Sequence, residues 1–156
     1  MSALFKTVAL TAAWLVSSVA LAGEAVPVNA TFGIQWTPDD WSDPAARTTE
    51  TYGAAGLPNG KVLAIYTYDS LDTVAGTVAG FGILWFSYDD GVVVEYSGPA
   101  GYDPLTNTAA FNTTMTVVDG WGRFAGATGS LKNNSRILFG PAVGTFNLKG
   151  VIKTAN

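Results

Sequence analysis
The segment Gly120-Trp121-Gly122-Arg123-Phe124-Ala125-Gly126-Ala127-Thr128-Gly129-Ser130-Leu131 limits what this chain can fold into more than any other. Its glycines stand beside strand-like runs. Only glycine takes positive φ freely, or lets a second backbone approach where a Cβ would otherwise stand. Sharp turns and closely packed strands follow. The run Phe146-Asn147-Leu148-Lys149-Gly150 follows it near the far end, with another glycine beside a strand-like run.

Period-two patterning supports the same reading. Val26, Val28, Ala30, Phe32, Ile34 and Trp36 fall on one face of a strand, and Asn29, Thr31, Gly33 and Gln35 on the other. A breaker-rich stretch follows from Thr37 to Gly60, with Asp39, Asp40, Asp43, Pro44, Pro58 and the Asn59-Gly60 pair. It is long for a structureless connection, so it is either a flap or hides a short strand near Thr48 to Tyr52. Lys61 to Tyr68 reads as the next strand, with Tyr66 and Tyr68 on one face and Leu63, Ile65 and Thr67 on the other. Thr73-Val74-Ala75-Gly76 recurs at once as Thr77-Val78-Ala79-Gly80, a period too short for a solenoid; it marks a small-residue strand approached closely by a backbone or a ligand. Further strands are expected over Thr108 to Val118, Ser130 to Phe139 and Val143 to Lys153. No stretch after residue 22 has a convincing helical period. About eight short strands with regular turn signals predict a closed barrel or a sandwich.

Phe81 to Asp89, then Asp90-Gly91, then Val92 to Ser97 reads as a hairpin, because Asp-Gly supplies the positive φ angles of a type I′ turn. A two-residue loop there pairs Phe86 with Glu95 and Trp85 with Tyr96. One face then carries Leu84, Phe86, Tyr88, Val93 and Glu95, and the other Ile83, Trp85, Val94 and Tyr96. Both are apolar, so both are expected to be buried, one in the barrel and one under a subunit, loop or helix.

Residues 1–22 read as a signal peptide. Lys6 precedes an apolar run from Thr7 to Gly23, shorter than the ~20 residues of a spanning helix and ending in Ala20-Leu21-Ala22. The expectation is an exported protein, periplasmic or extracellular and off the membrane after cleavage, with one domain over residues 23–156. The whole chain carries 8 Lys and Arg against 12 Asp and Glu, for a net charge of −4. Without Lys6, seven basic residues face twelve acidic ones. That balance argues against nucleic acid or an anionic membrane surface as partner. There is no cysteine, so stability rests on packing without disulfides. There is no histidine, which removes Ser-His-Asp triads, His-Cys pairs and conventional zinc or haem sites.

The segment from about Phe81 onward resembles the allene oxide cyclase and dirigent group of small β-barrels. The likeness is carried by Gly120, Gly122, Phe124, Gly126 and Gly129, by Leu148-Lys149-Gly150, by the Asp89-Asp90-Gly91-Val92 hairpin and by Ser97-Gly98-Pro99. The resemblance implies an all-β, single eight-stranded antiparallel barrel of allene oxide cyclase-like, calycin type, with an apolar interior and assembly as a homo-oligomer. It implies ring closure or radical steering without cofactors in some relatives. The family's catalytic residues find no motif match in the first half of this chain, so none is carried over.

Candidate chemistry comes from the residues themselves. Glu95, in mid-strand beside Phe86, Tyr88 and Val93, would have its pKa raised by desolvation and so suit acid/base work; its alternative is a solvated or salt-paired side chain. Tyr88 and Tyr66 are its expected hydrogen-bond partners, making Glu95, Tyr88 and Tyr66 the catalytic candidates. Gln35, Tyr68, Phe86 and Trp85 are the candidate ligand contacts, combining ring surfaces with polar tips; as core or outer-face residues they are equally natural. Asp39, Asp40 and Asp43 lack the spacing of a calcium loop, so no metal is assigned. Arg123 and Arg136 are either anion clamps or solvated rim residues. Asn29, Asn112 and Asn133 each open an Asn-x-Ser/Thr sequon. The expected function is binding of a small apolar molecule in the lumen, with cofactor-free cyclisation or isomerisation. The alternative is a non-catalytic ligand-binding or protein-interaction barrel. A filled interior favours the interaction barrel.

Overall fold
In the computed structural model of the chain, residues 23–55 and 62–156 are described. The expected signal peptide, Pro58, the Asn59-Gly60 pair and Lys61 lie outside them. Eight strands form a closed antiparallel barrel in which every strand pairs with its sequence neighbours and β1 pairs with β8. They are β1 (Ala25–Pro38), β2 (Arg47–Ala55), β3 (Ala64–Asp72), β4 (Thr77–Trp85), β5 (Gly91–Asp103), β6 (Thr108–Trp121), β7 (Thr128–Leu138) and β8 (Val143–Lys153). Closure leaves none of the eight described strands with an edge open to pairing with another chain.

The alternation of β1 becomes an alternation of burial, with Val26 to Trp36 inside and Asn29, Thr31, Gly33 and Gln35 outside. The breaker-rich stretch does hide a strand, β2, longer than the segment expected from sequence. The tandem tetrapeptide is split by the fold. Its first copy is the β3–β4 turn and its second opens β4, where Gly80 lies against the backbone of Tyr68.

The glycine-rich segment plugs one end of the barrel. A short 3-10 turn, Gly122–Phe124, follows β6, and Gly122 and Gly126 both adopt left-handed φ, 62° and 70°. That reversal drives Phe124 into the barrel mouth, where it is fully buried against Phe86, with 4.3 Å between ring centres. A Cβ on Gly122 would strike the Asp89 carbonyl, so the turn needs glycine for space as well as for φ.

The hairpin register differs from expectation. Trp85 pairs with Gly91, Ile83 with Val93 and Phe81 with Glu95, so the connection is the five residues Phe86 to Asp90. Neither Asp90 nor Gly91 has positive φ. Gly91 opens β5 under the Trp121 ring, and Asp90 turns its carboxylate to Arg123, accepting the backbone N–H at 2.9 Å and an ion pair at 3.5 Å. The register moves by an odd number of residues, which exchanges the faces. Trp85 and Tyr96 therefore lie on opposite sides of the wall, with Tyr96 inside.

Candidate functional site
Glu95 does not enter the lumen: it is exposed on the outer wall opposite Phe81. Tyr88 is 96% exposed at the tip of the β4–β5 loop. Tyr66 is on the outer wall against Tyr52, with 4.9 Å between rings. The three catalytic candidates are thus not gathered around an enclosed space. Tyr68 is also outside, against Phe81, its hydroxyl donating to Asp39 Oδ2 at 2.9 Å. Gln35 and Trp85 do meet, in an open outer groove of about 670 Å³ with Tyr52 and Val143. Of the ligand candidates only Phe86 points inward, and it is part of the plug. The outer face of residues 83 to 96, expected to be covered, is half-exposed at Ile83, Trp85 and Val93.

The lumen is filled. Eight strands enclose only enough width for their own side chains, and here Phe32, Ile65, Leu84, Met115, Leu131 and Leu148 occupy it. An enclosed space of about 10 Å³ remains among the described residues, between Asp69, Val78, Tyr96, Phe111, Thr113, Asn133, Ile137 and Phe146, with room for about one water molecule.

Around that void is a buried polar layer. Tyr96 Oη donates to Asp69 Oδ2 at 2.9 Å and Thr67 Oγ1 to the same oxygen at 3.4 Å. Asn133 Nδ2 donates to Thr113 Oγ1 at 3.1 Å, and Ser135 Oγ donates to Asn133 Oδ1. Burial is the main force on Asp69, pushing its carboxyl up to about 6 against the relief that Tyr96 and Thr67 provide. Burial, followed by the Asp69 charge, raises the Tyr96 phenol well above its usual value. Thr51 Oγ1, fully buried, has no partner among the described residues. Asp69 was legible in principle, because continuing the alternation of Ile65 and Thr67 by one step puts it inside.

Besides two open outer grooves of about 620 and 670 Å³, a smaller and more enclosed space of ligand size lies at the rim above this layer. In an antiparallel meander the β1–β2, β3–β4, β5–β6 and β7–β8 connections share one end. Backbone bonds link them: Thr73 N to Pro44 O at 2.9 Å, Phe139 N to Asn107 O at 3.1 Å and Trp36 N to Ala142 O at 3.2 Å. They enclose a cup of about 280 Å³ lined by Trp36, Trp41, Arg47, Thr73, Tyr102, Asn107 and Phe139. Trp36 and Trp41 stack at 5.3 Å with 10° between planes. Phe139 stands edge-on to both at 5.1 and 5.4 Å, and Tyr102 edge-on to Phe139 at 5.5 Å. Such pairs contribute ~0.5–1.5 kcal/mol each beyond burial, which holds the rings in place.

No family model, curated protein or solved structure matches this chain. The chemistry of the cup has to be read from its own groups. The Trp36 indole N–H donates to Leu138 O at 3.3 Å and the Trp41 indole N–H to Thr48 O at 3.1 Å, so both rings present carbon surface. The Arg47 guanidinium lies 5.2 Å from the centre of the Trp41 ring, a cation–π contact of ~0.5–1 kcal/mol. Its Nε is buried without a partner among the described residues. A buried donor left unpaired costs ~1–3 kcal/mol, and more when charged. Tyr102 Oη donates to Asn107 Oδ1 at 3.1 Å, which leaves the Asn107 amide nitrogen as a donor at the mouth.

The sequence pointed to none of these as a site. Trp36 was readable as core, Arg47 carried no pattern, and Trp41 gave the one hint, a large ring inside an acidic loop. The acids of that loop fold onto it. Asp40 Oδ1 accepts from Ser42 N and Oγ, Asp43 Oδ1 from Ala45 N, and Asp39 Oδ2 from Thr48 and Tyr68. Among the described residues no group of three acids is arranged to hold a metal ion.

Proposed function
We propose that this protein is an exported, non-catalytic binding barrel that holds a small planar apolar molecule in the aromatic cup at its rim. The observation that carries this reading is the cup itself: four aromatic side chains fixed by one another and by bonds between connections, around about 280 Å³. That lies just under the usual ~300–1,000 Å³ of ligand sites, and the lining has the usual mixture of rings and a few polar groups. Catalysis in the lumen loses its support, because Glu95 faces water and Asp69 is sealed beside a space of one water molecule. The allene oxide cyclase-like subtype belongs to this reading, supported by the Gly120 to Gly129 spacing and by Leu148-Lys149-Gly150 on a closed eight-stranded barrel. Export rests on the Thr7 to Gly23 pattern.

Calorimetric titration with 2-naphthamide, a neutral planar probe, tests the cup. A Kd of about 1 mM or tighter is expected, in line with the free energy a ligand of this size gains. Trp41→Ala should abolish that binding while thermal unfolding stays cooperative. No binding of either 2-naphthamide or its acid counterpart 2-naphthoate to the native protein removes the proposal.

The outer wall favours a second reading, self-association. Tyr52 with Tyr66, and Tyr68 with Phe81, form ring pairs on β2, β3 and β4, next to half-exposed Ile83 and Trp85. Contiguous apolar surface of this kind marks interaction sites. Sedimentation velocity decides it: an oligomer that Trp85→Glu dissociates supports this reading, and a monomer at all concentrations rejects it.

A further inference from the structure
We infer that the ligand of the rim cup is an aryl carboxylate, seated with its ring on the aromatic wall and its anionic group on Arg47. The inference rests on the cup being a binding site, and it names the chemistry of what enters.

The N–H and O–H donors of the cup are all engaged except those of Arg47 and Asn107. The two indole N–H groups are taken by backbone carbonyls, and the Tyr102 hydroxyl is spent on Asn107. The Thr73 hydroxyl donates to Pro44 O at 2.8 Å. What remains is the guanidinium of Arg47, whose buried Nε has no partner among the described residues, and the amide nitrogen of Asn107. No carboxylate lines the cup, and the ion pair among the described residues is Arg123 with Asp90, at the opposite end of the barrel. A cation whose charge is unpaired and partly desolvated favours a planar anion that can accept two parallel N–H bonds.

The aromatic surface narrows the choice further. Cups of stacked rings also take quaternary ammonium groups, but here Arg47 already occupies the face of Trp41, and a second cation would be repelled. A bare inorganic anion would leave the ring surface unused. The volume, about nine water molecules' share of liquid, suits one or two fused rings bearing a carboxylate. The chain as a whole carries a net charge of −4, so it has no general attraction for anions. A preference for the acid over its neutral isostere must therefore come from the cup.

The test uses the full-length mature protein and two probes of equal shape, 2-naphthoate and 2-naphthamide, titrated by calorimetry at neutral pH. The naphthoate is expected to bind at least tenfold tighter than the amide. Arg47→Gln should bring the naphthoate down to the affinity that the amide has for the native protein, while thermal unfolding of the variant stays cooperative. Equal affinity of the two probes for the native protein overturns the inference and leaves the cup standing as a site for neutral rings. Failure of both probes to bind removes the cup itself. A tenfold preference that survives in Arg47→Gln also overturns the inference, since the anchor would be elsewhere. If Arg47→Gln loses the amide as well, Arg47→Lys decides: it keeps the charge, and must keep at least a threefold preference for the acid, or the assignment fails.

Discussion

Replacing Asp69 with Asn should remove a pH dependence built into the interior. The Asp69 carboxyl is pushed up to about 6 from its ordinary 3.8, chiefly by burial. The folded chain therefore holds this proton more tightly than the unfolded chain does. The stability it contributes is fully present below about pH 4, falls as pH rises to about 6 and is level above that. A shift of about 2 units corresponds to about 3 kcal/mol. In Asp69→Asn the amide oxygen still accepts from Tyr96, and nothing there ionises. Urea unfolding from about pH 4 to about pH 8 should then show the variant gaining about 3 kcal/mol on the native protein across the interval. The difference between the two proteins is the informative quantity. Asp40, Asp90 and Asp103 have carboxyls held low by hydrogen bonds, so their contributions are lost only as pH falls below the usual carboxylate range, and they cancel in the difference. A difference that stays constant within about 0.5 kcal/mol over that range would falsify the reading of Asp69 as a desolvated acid.

Three other changes probe the fold. Phe124→Ala removes the plug from the barrel mouth and should cost about 3–5 kcal/mol in denaturant unfolding, as for other buried rings; a cost below about 1 kcal/mol would mean the mouth closes without it. Gly122→Ala meets both the left-handed φ and the Asp89 carbonyl, so a loss of at least about 1–2 kcal/mol is expected. In a glycosylating host, mass spectrometry should find glycan on Asn29 or Asn112, whose side chains are exposed, and none on Asn133, which is 2% exposed inside the barrel; modified Asn133 in folded protein contradicts the placement of β7.

Some of this was legible in the chain because it depends on neighbours in sequence. The inward face of β1 follows from six apolar residues at period two, and β8 begins and ends where its apolar pattern does. Glycines 122 and 126 announced a reversal, and the reversal is there. The β4–β5 pairing was misread because Asp90-Gly91 looks like a two-residue turn. In the fold Asp90 is occupied by Arg123, 33 positions away, and Gly91 by Trp121. Local turn preference yielded to contacts that appear only once β6 is in place. With that register went the inward placement of Glu95, and with it the expected lumenal site.

Alternation, breakers and composition by themselves settled that this chain is all-β and that histidine and cysteine chemistry is closed to it. Those are properties of residues a few positions apart. Whether the cylinder is hollow, which carboxylate lies inside, and where rings converge depended on closure. Barrel width follows from strand number and stagger rather than from any one segment. The cup draws on Trp36, Trp41 and Arg47 around the β1–β2 connection, on Tyr102 near the end of β5 and on Phe139 just after β7, so only the assembled barrel brings all of them to one rim.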